Sequence, residues 1–194
     1  DPDSGSVSFG GKDIREYDPH KLRAQFGVIF QDAVRYYCSL KENVTLGRVD
    51  GPFSESQYEA AVKNAELQEM IKELPDNENT NLGRYFQSGT QLSSGQWQRL
   101  ALARLHYSDR PIMILDEPTS AMDPWTEKKW LKSLKKISKD KTVIIITHRL
   151  STAQIADHVI VLKKGKVAES GPPDDLKKHG GYFAVIEKSN MRQF

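Results

Sequence analysis

The chain of 194 residues contains a single cysteine, Cys38. No disulfide can close within it, which suits a reducing compartment. Long apolar runs are also missing. The longest, PIMIL (111–115) and TVIIIT (142–147), are strand-sized and far short of the ~18 apolar residues that cross a membrane. Any tie to a membrane is therefore expected to run through a partner. Charge of one sign is lacking too: 28 basic against 26 acidic groups leave a net +2, too little to argue for nucleic acid or an anionic surface. The first residues, DPDSGSVSFGGKD, are acidic and turn-rich, unlike a signal peptide. DPDSG itself has the character of a loop inside a domain.

What is present is an ordinary globular composition, 38% hydrophobic and 28% charged, of a size for one domain or one domain with an insertion. SVSF and the residues after GGKD suggest a short hairpin, since a Gly pair separates two small β-prone runs; the second run is thus expected from Ile14 on. FGVIF (26–30) is expected as a buried strand ending at Gln31-Asp32. From about residue 33 to 89 apolar runs shorten. SESQYEAAVKNAEL has helical character, with Ser54 and Gln57 spaced as a capping box, and LQEMIKELP is a second helix stopped by Pro75. DNENTNLG is a polar loop. A βα rhythm then follows. SSGQWQRLALARLHY is a helix, PIMIL a strand, and PWTEKKWLKSLKKISK a helix begun by Pro124. TVIIIT is a strand, VIVLKKGKVAES a hairpin turned at Lys164-Gly165, and PDDLKKHGGYFAVIEKS helical. Apolar strands alternating with helices imply a parallel sheet covered on both faces, so the expected layout is an α/β core interrupted by a mainly helical segment.

Chemistry concentrates at strand ends, where functional groups of parallel sheets collect. IMILDEPTSAMDP (112–124) drives four apolar residues into Asp116 and Glu117. Such a pair can hold Mg²⁺ and orient a water, yet many strands end in an acid merely for solvation. LSSGQWQRLALAR (92–104) opens a helix with Ser-Ser-Gly, a place where backbone N–H groups and the helix dipole suit a phosphate; an ordinary serine cap reads the same way. His148 follows TVIII as a catalytic or a plain surface residue, and Gln31 follows GVIF as a functional or a plain loop residue.

Taken in order, these segments resemble the nucleotide-binding domain of ATP-binding cassette (ABC) proteins across nearly the whole chain. Gln31 resembles the Q-loop glutamine, LSSGQ the signature, IMILDE the Walker B segment, SAMD the D-loop and His148 the switch histidine. The resemblance implies a P-loop NTPase-type (RecA-like) α/β core with a helical subdomain. Residues 1–32 would be the N-terminal part of that core, 33–91 the mainly helical subdomain, and 92–194 the signature helix, Walker B, D-loop, switch histidine and C-terminal core. It implies Asp116 and Gln31 at Mg²⁺, Glu117 as general base, and His148 at the γ-phosphate. Ser93, Ser94, Gly95 and Gln96 would meet nucleotide held by a partner domain, with Asp123 at the seam. ATP is the implied substrate. The implied partners are a second nucleotide-binding domain paired head to tail and transmembrane domains, with no nucleic acid, at the cytoplasmic face of a membrane.

The departures are specific. Ser94 stands where the family usually has glycine, and Trp97 where a polar residue is usual. Arg84 follows Gly83 where exporter relatives carry an acid. The phosphate-cradling motif G-x-x-x-x-G-K-[ST] is absent. Of the two Gly-Lys pairs, Lys12 is followed by Asp13 and Lys166 by Val167, so neither can form it. The core is thus expected to be N-terminally truncated, with the 194 residues alone inactive. GKVAESGPPDDLKKHGGYFAVIEKSN resembles the C-terminal end of exporter-type domains. The implied function is coupling of ATP hydrolysis to export; the alternative is a non-transport regulatory or binding module that lends its signature to a partner's ATP.

Overall fold

The computed structural model describes residues 2–185. Two compact units are present, Asp1–Ile145 and Ile146–Phe194.

The first unit begins with a hairpin of β1 (Ser8–Phe9) and β2 (Lys12–Asp13), turned at Gly10 (φ 56°) and Gly11 (φ 81°). A two-residue turn with both φ values positive matches the strand twist and favours glycine at both places. Asp18 then caps α1 (Pro19–Arg23), and β3 (Phe26–Ile29) follows. Three short helices come next: α2 (Leu40–Thr45), α3 (Glu55–Asn64) and α4 (Gln68–Glu73). The long α5 (Ser94–Ser108) leads into β4 (Ile112–Asp116), α6 (Pro124–Ile137) and β5 (Thr142–Ile146). The sheet order is β3-β4-β5.

Strands β3 and β4 are parallel, with Gly27 opposite Met113 and Ile29 opposite Leu115. These four residues are buried and share one face, since side chains alternate along a strand. That face lies against α5. Gly27 is required by this packing, because a Cβ there would overlap the Leu105 side chain. The opposite face is only partly covered among the described residues: Phe9 of the hairpin packs on Phe26 at 5.6 Å, while Val28 is 40% exposed. The expected buried strand FGVIF and the expected cover on both faces are therefore corrected. Helix α5 shields a single face, and Phe30 is exposed as well.

Helices α2 and α3 pack on α5, burying Leu40, Val44, Ala61 and Val62 against Leu100, Ala101 and Leu102 in the core. The Arg104 guanidinium of α5 ties this packing together. It donates to the Asn43 carbonyl (3.0 Å), Asn43 Oδ1 (2.9 Å) and the Val34 carbonyl (3.2 Å), and stacks over Tyr36. The capping box expected at Ser54 is half formed. Ser54 Oγ accepts from Gln57 N, but the Ser54 N–H goes to Tyr107 Oη (3.2 Å) instead of the Gln57 side chain.

The second unit holds α7 (Leu150–Ala153), the antiparallel β6 (Val159–Lys163) and β7 (Lys166–Gly171), and α8 (Pro173–His179). The hairpin turns at Lys164 and Gly165, both at positive φ. The helix expected over residues 173–189 is broken. Gly180 adopts φ 69° at the end of α8, and a new helical turn starts at Tyr182. The Glu169 carboxylate accepts the backbone N–H groups of Tyr182 and Phe183. It sits where a Cβ on residue 181 would be, so any other residue there would displace this carboxylate. Residues 186–189 of that expectation lie outside the described residues.

Candidate active site

The β3–β4 register ends at the pair Ile29–Leu115. Gln31 and Glu117 each lie two residues beyond it, so the ends of adjacent strands bring them to one edge of the sheet. Leu115 faces α5, and Asp116, one residue on, faces the more open side with Ile114. The Asp116 carboxylate is half-buried and has no hydrogen-bond or ion-pair partner among the described residues. On that open side the carboxylate stays within reach of water and of an incoming cation. Gln31 is exposed.

Glu117 has φ 47°, the left-handed region, which costs a non-glycine residue about 1–2 kcal/mol. The chain reverses there. The Glu117 carbonyl accepts from Ser120 N (3.1 Å), and the Thr119 carbonyl from Met122 N (3.0 Å). A residue that sequence reasoning missed clamps this turn. Gln98, on α5 and 9% exposed, donates through Nε2 to the Glu117 carbonyl (3.1 Å) and to Ser120 Oγ (3.3 Å), and its Oε1 accepts from Ala121 N (3.0 Å). The available signal was a polar residue on the buried face of a helix, three residues before Ala101.

At the start of α5, Ser93 and Gln96 form a complete capping box. Ser93 Oγ accepts from Gln96 N (3.3 Å), and Gln96 Oε1 from Ser93 N (2.7 Å). The serine-cap reading thus holds, and it leaves the first-turn amides of Ser94 and Gly95 for an incoming group. Ser94 is exposed and Gly95 half-buried. Gly95 abuts the turn after Glu117, since a Cβ on it would lie 2.9 Å from the Ala121 carbonyl oxygen. Trp97 is 4% exposed and packs edge-on to Tyr37 at 6.4 Å, a core contact in place of a polar surface residue.

Asp123 caps α6, accepting from Trp125 N and Thr126 N (both 3.0 Å) and from Thr126 Oγ1. The hydrogen bonds from Thr126 hold its carboxyl below the ordinary aspartate range. His148 is exposed, two residues past β5 and within the second unit. The structure therefore gathers Gln31, Asp116, Glu117, the Ser93–Gln96 helix start and the turn to Asp123 within the first unit. His148 stands with the second.

The donor set is all oxygen and amide. Hard cations such as Mg²⁺ prefer carboxylate and carbonyl oxygens, so the unpartnered Asp116 and the neighbouring Gln31 fit that ion. The first-turn amides of α5 suit a phosphate oxygen.

Comparison with known proteins places the chain in a family. A family model described as ABC transporter matches residues 1–120. The chain is 37% identical over 193 residues to the ATP-dependent lipid A-core flippase of Burkholderia orbicola (strain AU 1054), covering 100% of this chain and 32% of that protein. It is 38% identical over 187 residues to the mitochondrial potassium channel ATP-binding subunit of Mus musculus, covering 96% of this chain and 25% of that protein. Among solved structures, a bacterial Atm1-family ABC exporter with ATP bound superposes with a TM-score of 0.88 at 34% identity, covering 98% of this chain and 32% of that one. The chain thus spans about a third of the length of the flippase it matches.

Proposed function

This chain belongs to the ABC transporter family, and we propose that it is part of a nucleotide-binding domain whose ATP hydrolysis drives export of a substrate across a membrane. Glu117 is the general base, drawing a proton from the water that attacks the γ-phosphate. Its carboxylate follows Asp116, which has no partner among the described residues, at a strand end, and this pairing is the observation that carries the reading. Asp116 and Gln31 hold Mg²⁺, which when bound neutralises charge on the β- and γ-phosphate oxygens. His148 donates to the γ-phosphate.

Ser93, Ser94, Gly95 and Gln96 serve a nucleotide that a second domain holds in its phosphate cradle. The amides of Ser94 and Gly95 point at it, with the capping pair keeping the helix start rigid. Asp123 lies at the seam between the paired domains. Residues 33–91, whose helices α2–α4 pack on α5, meet the transmembrane domains, with Gln31 as the hinge into them. The domain works at the cytoplasmic face of the membrane. A regulatory module that lends its signature without hydrolysis would leave Glu117 unused.

The test is Glu117→Gln in the complete protein. A positioned general base is worth about 10²–10⁴ in rate, so steady ATP turnover should fall by that factor while ATP binding stays within about twofold. Near-normal turnover would end this reading.

A further inference from the structure

Gln98 is the polar side chain most committed to the turn that carries Glu117. Its two amide hydrogens go to the Glu117 carbonyl and Ser120 Oγ, and its oxygen takes the Ala121 N–H. These bonds fix the amide's orientation. A flipped amide would set its oxygen against the Glu117 carbonyl and its NH₂ against the Ala121 N–H. At 9% exposure, water cannot easily replace the lost partners.

The turn needs such a clamp. Glu117 at φ 47° is not in a conformation that glutamate favours by itself, and any relaxation of its φ swings the carboxylate. One turn earlier on α5, Gly95 touches the same segment at the Ala121 carbonyl. The helix that begins with Ser93–Gln96 therefore meets the Glu117–Ala121 turn at two points three residues apart.

We propose that Gln98 is a positioning residue for hydrolysis: it holds the backbone turn from which Glu117 reaches the attacking water, and it ties that turn to the helix whose start meets the partner's nucleotide. This rests on the reading of Glu117 as base. Gln98 touches no reacting atom, and it acts through the Glu117 carbonyl and the Ala121 N–H. A phosphate pulling on the first turn of α5 would move Gln98 with it, and Gln98 would carry that motion to a carboxylate serving a different nucleotide.

The experiment measures kcat and KM for ATP in the complete protein for Gln98→Met and Gln98→Glu, beside Glu117→Gln. Gln98→Met keeps length and removes all three bonds. Gln98→Glu keeps the acceptor for Ala121 and turns an oxygen toward the Glu117 carbonyl, so it decides the matter if the methionine variant folds poorly. A misplacement of about 1 Å at a reacting group costs about 10²-fold. We expect kcat per folded molecule to fall about 10–100-fold in both, with KM for ATP within about twofold. A merely structural glutamine would lower the yield or melting temperature and leave kcat per folded molecule unchanged, and that result would overturn the proposal. If Glu117→Gln itself turned over normally, the assignment of the base would fall first. If it were inactive while both Gln98 variants were normal, the positioning role alone would fall.

Discussion

Replacing Arg104 by methionine would test how the helices of residues 33–91 are held to α5. Methionine keeps most of the apolar stem and removes the guanidinium. Three hydrogen bonds go with it, two of them to Asn43, which is 0% exposed. The Asn43 amide nitrogen is committed to the Tyr36 and Ser39 carbonyls and to Cys38 Sγ, and Oδ1 loses the only donor it has among the described residues. A buried acceptor left alone costs about 1–3 kcal/mol, and the lost stacking on Tyr36 adds about 0.5–1 kcal/mol. Part of this is returned, because burial already disfavours the charged guanidinium, as its lowered pKa shows, and the variant no longer desolvates it. The net loss is about 1–3 kcal/mol. At about 2–4 °C per kcal/mol for a domain of this size, the melting temperature of the complete nucleotide-binding domain should drop by about 2–12 °C. Faster proteolysis of residues 33–43 should accompany it. A shift under about 2 °C with unchanged proteolysis would show that Arg104 does not hold these helices.

Gly95→Val should disturb the turn after Glu117, because even a Cβ lies 2.9 Å from the Ala121 carbonyl oxygen and backbone cannot step aside as a side chain can. Overpacking of this kind costs about 1–3 kcal/mol, seen as a lowered melting temperature together with lost turnover; an unaltered protein would count against the close approach. Glu169→Ala should unfasten the segment after α8, since Tyr182 and Phe183 lose the carboxylate that accepts their N–H groups. Amide hydrogen exchange at those two residues should rise at least about tenfold, matching a loss of about 1.4 kcal/mol or more, and unchanged exchange would refute the contact.

Much of this arrangement was legible in the sequence because it is local. The Gly10-Gly11 and Lys164-Gly165 turns, the serine cap at Ser93 and the Pro124 helix start follow from a few neighbouring residues. The strand FGVIF is apolar throughout, so nothing in it told which face is covered; Gly27 and Ile29 face α5 because a helix about 80 residues later packs there. The Ser54 box was half right because Tyr107, 53 residues away, takes one of its donors. The left-handed Glu117 was not legible either. Its turn is held by Gln98, whose partners lie 19 to 23 residues along the chain, and no local pattern encodes that pairing. Likewise Gly180 and Gly181 were compatible with a continuing helix by sequence; the break comes from the φ of 69° at Gly180 and from the Glu169 carboxylate seated beside Gly181.

If Asp116, Glu117 and the α5 start act on nucleotide whose phosphates are held by a cradle outside these 194 residues, as proposed, the chain alone should not bind ATP well. Calorimetric titration of the 194-residue chain with MgATP tests this most directly. Charge-assisted hydrogen bonds contribute about 1.5–3 kcal/mol each, and lacking several of them should move a micromolar site beyond the millimolar range. The account predicts no saturable heat below about 1 mM. Saturable binding in the micromolar range would contradict it and would mean that the phosphates are held by residues of this chain in a way that neither Asp116 nor the α5 amides explain.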